Sequence, residues 1–89
     1  MPRTPEQVAA DDALTAAIEQ VWFAYYPETG PGILMEYVVL ARRRTFDEHD
    51  GEPLTAHASM PRDGEVPLDL LLGMTEYAST RLRKRIAED

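Results

Sequence analysis

Apolar and polar positions along the chain switch period twice. Across residues 4–26, Leu14, Ile18, Val21, Trp22 and Tyr25 recur at three- and four-residue spacing, which places them on one helical stripe. "TPEQ" is a start signal for that helix. Thr4 can cap, Pro5 suits the first helical position, and Gln7 completes a capping box. Asp11 or Asp12 offers a second start, and Pro27 ends the helix because the residue before a proline disfavours the α conformation. "PETGPG", residues 27–32, reads as a turn-rich connector.

The period then becomes two. Residues 33–45 predict a long strand, with Ile33, Met35, Tyr37, Val39 and Ala41 on one face and Leu34, Glu36, Val38, Leu40 and Arg42 on the other. Residues 54–60 predict a second strand, in which Leu54, Ala56, Ala58 and Met60 alternate with Thr55, His57 and Ser59. The polar segment between them holds Gly51 and Pro53, so the pair predicts a β-hairpin. "PRDGEVP", residues 61–67, is a further connector. From Pro67 to about Ala87 the helical period returns, with Leu71, Met74, Ala78, Leu82 and Ile86 in the main stripe. Leu68, Leu70, Leu72 and Tyr77 widen that apolar surface, so this helix needs cover on more than one side.

The expected architecture is a single small α+β domain over residues 1–89, in the order α-β-β-α, with an antiparallel hairpin packed against two helices. A lone hairpin is marginal in water, and its open edges are templates for pairing. Dimerisation answers both problems, because two hairpins can join into a four-stranded sheet. Trp22 and Tyr25 are expected in the core. Phe23 and Tyr26 point away from the stripe, either packing under the "PETGPG" connector or serving as interface residues beside arginines.

Composition narrows the function classes. Cysteine is absent, which excludes disulfides and thiolate metal sites and fits a reducing cytoplasm. "MPRTPEQ" lacks the apolar core of a signal peptide, and the longest apolar runs are too short to span a membrane. The net charge is −7, which opposes binding to phosphate backbones and anionic lipid. Seven of the nine basic residues nevertheless fall in two clusters, Arg42–Arg44 and Arg81, Arg83, Lys84 and Arg85. The second cluster also opposes the macrodipole at a helix C-terminus.

No constellation for catalysis emerges. "DEHDGE", residues 47–52, lacks the alternating spacing of a calcium loop, since placing Gly51 sixth makes Phe46 first. His49 and His57 are the only histidines, too few for a zinc site without further convergent ligands. His57 and Ser59 project in parallel from one strand face and lack a third group. The expectation is therefore a non-enzymatic chain without cofactor or metal. The sign change in "ARRRTFDEHDGEP" reads either as a solvated hairpin tip whose acids meet nearby arginines, or as a finger that contacts a partner.

From "WFAYYPETGPG" through the hairpin to "LLLGMTEYASTRLRKR", the chain resembles the small orphan proteins of actinobacteriophages, mycobacteriophages in particular. It is short, acidic and rich in alanine and threonine, and eight of its nine basic residues are arginine. The resemblance implies an accessory factor that binds a host or phage protein inside the bacterial cytoplasm. The candidate partner-binding residues are Phe23, Tyr26, Arg42, Arg44, Arg81, Arg83 and Arg85. The alternative is a nucleic-acid-associated regulator that uses the two basic clusters.

Overall fold

The computed structural model describes residues 2–88. Helix α1 spans Pro5–Tyr25, strands β1 and β2 span Val38–Phe46 and Pro53–Pro61, a 3-10 turn covers Arg62–Gly64, and helix α2 spans Leu68–Glu88. The strands form a two-stranded antiparallel sheet, so the chain is an α+β fold in helix–hairpin–helix order.

Helix α1 begins where its capping chemistry places it. Thr4 Oγ1 accepts from the Gln7 backbone N–H at 3.1 Å, and the Gln7 side chain accepts from the Thr4 N–H at 2.8 Å. Asp11 and Asp12 lie inside the helix and start nothing. Thr4→Ala should lower stability by about 1 kcal/mol, because it leaves an N-terminal amide without its acceptor. Urea unfolding followed by circular dichroism measures this, and a shift indistinguishable from zero would show that the cap does not contribute.

Register runs from Val38 opposite Pro61 to Phe46 opposite Pro53. The first strand starts later than its alternating pattern predicts. Residues 33–37 belong to no strand, because β2 turns away at Pro61 and no strand remains opposite them. Arg62 takes over instead. Its backbone N–H donates to Tyr37 O at 3.0 Å, and its Nη1 donates to Leu34 O and Met35 O at 2.6 and 2.8 Å. Asp63 then adopts a left-handed φ of 54°, which aspartate tolerates better than most residues, and Gly64 follows at 73°.

The chain is open. Its radius of gyration is 16.6 Å, whereas a compact chain of this length has about 12 Å. It exposes 8037 Å², about 2,800 Å² more than the roughly 5,200 Å² typical of a folded monomer of this mass. Extensive packing between elements is confined to the two strands and to α1 against the 3-10 turn. Among the described residues, Tyr37 is the one buried hydrophobic side chain, at 7% exposure. Trp22 and Tyr25, expected in the core, are 48% and 77% exposed. Periodicity aligned them correctly, but no element packs over them.

Candidate interaction surfaces

Three surfaces stand out, and the elements position each. The first lies along the C-terminal half of α1. An open groove of about 490 Å³ runs past Leu14, Ile18, Val21 and Tyr25, the stripe that periodicity identifies. Ala17 lies in the same groove and lets a partner approach the helix closely. A second cavity of about 240 Å³ sits between α1 and the segment leading into β1, bounded by Trp22, Phe23, Ile33, Met35 and the carboxylates Glu19 and Glu36. Trp22 closes one end of it, donating from Nε1 to Thr29 Oγ1 at 3.1 Å. Phe23 therefore faces the connector side, while Tyr26 stacks obliquely on Trp22 with ring centroids 5.6 Å apart. Tyr26 also caps the helix, its N–H donating to Trp22 O.

The second surface is the outer face and tip of the hairpin. Arg42 and Arg44 share the outer face and stand opposite His57 and Thr55, while Arg43 projects to the other side. The tip is ordered by its own carboxylates. Asp47 Oδ1 accepts from the His49 N–H at 2.7 Å, and Asp50 Oδ1 accepts from the Glu52 N–H at 2.9 Å. Gly51 supplies the left-handed turn at φ 71°. Among the described residues, the ion pairs join Arg3 to Asp11 and Asp63, and Arg62 to Asp63, so the tip acids do not meet Arg42–Arg44. The Asp11 hydrogen bond raises the Arg3 guanidinium above its ordinary value. Among the described residues there is no group of three or more potential metal ligands.

The third surface is α2. Leu68, Leu72, Tyr77, Leu82 and Ile86 are all exposed, so the broad apolar face seen in the sequence is left uncovered. Arg81 Nη1 donates to Tyr77 Oη at 3.2 Å and the guanidinium lies 5.8 Å from that ring's centroid. This hydrogen bond raises the Arg81 guanidinium, and Tyr26 lies close enough to add to the effect. Arg83 and Arg85 are exposed on the last turns of α2. Among the described residues, no helix is long and apolar enough to cross a membrane. No family model, curated protein or solved structure matches the chain.

Proposed function

We propose that this chain is a small, non-enzymatic, protein-binding accessory factor of actinobacteriophage origin, acting as a homodimer in the bacterial cytoplasm to modulate a host or phage protein. The observation that carries this reading is the apolar surface left uncovered along both helices, including Val21, Tyr25, Leu82 and Ile86. Soluble domains rarely leave contiguous apolar surface of this kind open unless a partner covers it. Aromatic side chains beside arginines, as at Tyr77 and Arg81, are typical anchors of such contacts.

The test is recovery of the tagged protein from an actinobacterial host, with and without nuclease, beside a Val21→Asp/Tyr25→Asp variant. Both positions are largely exposed, so the fold is expected to survive. A stoichiometric protein should survive nuclease with the wild type and be lost with the variant, since removing one central anchor costs about 2 kcal/mol, or about thirtyfold in affinity. Recovery that collapses with nuclease and with Arg83→Glu/Arg85→Glu would overturn the reading in favour of the basic clusters.

A further inference from the structure

The two free edges of the hairpin differ in kind. Just beyond the ladder, the Asp47 N–H donates to Glu52 O and the Arg62 N–H donates to Tyr37 O. Both bonds keep the register of the strands. Hydrogen-bonded pairs alternate in an antiparallel ladder, so Leu54, Ala56, Ala58 and Met60 bond to β1. The backbone groups of Pro53, Thr55, His57, Ser59 and Pro61 therefore point to open solvent. The outer two are prolines and have no N–H. The free row of β2 thus offers donors only at Thr55, His57 and Ser59, a window symmetric about His57.

We propose that a second copy of this chain pairs with this edge, β2 against β2 antiparallel, with the two-fold axis at His57. The inference rests on the homodimer reading above and names its seam. In this register His57 meets its own counterpart, and Thr55 meets Ser59 of the second copy. On the opposite face, Leu54 meets Met60 and Ala56 meets Ala58. Every apolar side chain faces an apolar one, and the small hydroxyl side chains face each other. Each copy donates three backbone hydrogen bonds across the seam.

Residues 54–60 carry no carboxylate, lysine or arginine, so no permanently charged side chain opposes pairing along the seam. The free row of β1 displays Arg42 and Arg44 instead, and pairing β1 with its own copy would set arginine against arginine. Charge guards one edge and leaves the other open, as edge strands that pair selectively require. The prolines stop the pairing at both ends and hold the register. All of Pro53–Met60 is exposed in the single chain, so the edge is accessible. The surface surplus of about 2,800 Å² per chain exceeds the roughly 1,000 Å² per partner of the smaller obligate interfaces, leaving the helix faces for other partners.

The chain contains no cysteine, so a single introduced thiol reports its own position. His57→Cys should form a disulfide-linked dimer under mild oxidation, because directly opposed hydrogen-bonded residues lie about 5.5 Å apart at Cα, within disulfide range. Thr55→Cys alone should not, since its counterpart lies about 13 Å along the strand. Mixed with Ser59→Cys, it should. Thr55→Pro/Ser59→Pro removes donors that β1 does not use, so the wild-type dimer mass of about 20 kDa should fall to the 10.0 kDa of one chain. A wild type that already runs as a single chain by light scattering at micromolar concentration sinks the dimer reading itself. A dimer that persists in the proline variant, or that leaves His57→Cys unlinked, overturns this seam and leaves the dimer reading standing. If the proline variant loses its circular dichroism, the thiol pattern decides.

Discussion

Tyr37→Ala should cost about 3–5 kcal/mol, as emptying a buried aromatic site commonly does. Small domains hold only about 5–15 kcal/mol in total, and this one has little else buried. Tyr37 is the one buried hydrophobic residue among those described, and it joins three parts of the chain. Its hydroxyl shares a 2.6 Å hydrogen bond with Thr15 on α1. Its carbonyl accepts from Arg62 at the 3-10 turn. Its backbone continues directly into β1. Tyr37→Phe keeps the ring and loses only the hydroxyl bond, so about 1 kcal/mol is expected, or about 4–8 °C in Tm. The two variants should be compared by thermal unfolding at one fixed protein concentration, because self-association makes Tm concentration-dependent. Equal, small losses would show that the ring is not the keystone of the α1–hairpin contact.

That contact shows what a linear pattern reveals and what it leaves open. The capping box at Thr4 and Gln7 was legible because its partners are three residues apart. The hairpin was legible because alternation fixes which side chains share a face, and Arg42 and Arg44 stand together as alternation requires. The start of β1 was not legible. Residues 33–37 alternate like a strand, but a strand needs a partner, and the turn at Arg62–Gly64 removes it. The fate of Trp22 and Tyr25 was hidden for a related reason. A stripe shows which residues want cover, whereas the cover itself depends on where distant elements lie. The ion pairing of the hairpin tip misled because adjacency in sequence is not proximity in space. Asp47 and Asp50 turn back on their own backbone, while Arg3 reaches across the chain to Asp63.

Arg62→Ala should lower stability by about 2 kcal/mol, within the range for hydrogen bonds made by charged donors. That is about 8–16 °C in Tm for a domain of this size. Arg62 stood in the sequence as one cation inside a connector, with nothing to mark it. In the fold it replaces the missing strand opposite residues 34–35, holding both carbonyls from one guanidinium nitrogen at 2.6 and 2.8 Å. Without it those carbonyls lose their donor, the segment leading into Tyr37 loosens, and the cavity between α1 and Ile33–Met35 loses its wall. Arg62→Lys separates charge from geometry. An ammonium retains the attraction to Asp63 but is a compact point donor on a shorter reach, so it should recover less than half of the loss. Amide hydrogen exchange locates the effect: protection should fall at the Arg62–Tyr37 junction while the hairpin tip is unchanged. Full rescue by lysine would mean that charge alone, through Asp63, holds the turn, and that the two carbonyl bonds contribute nothing measurable.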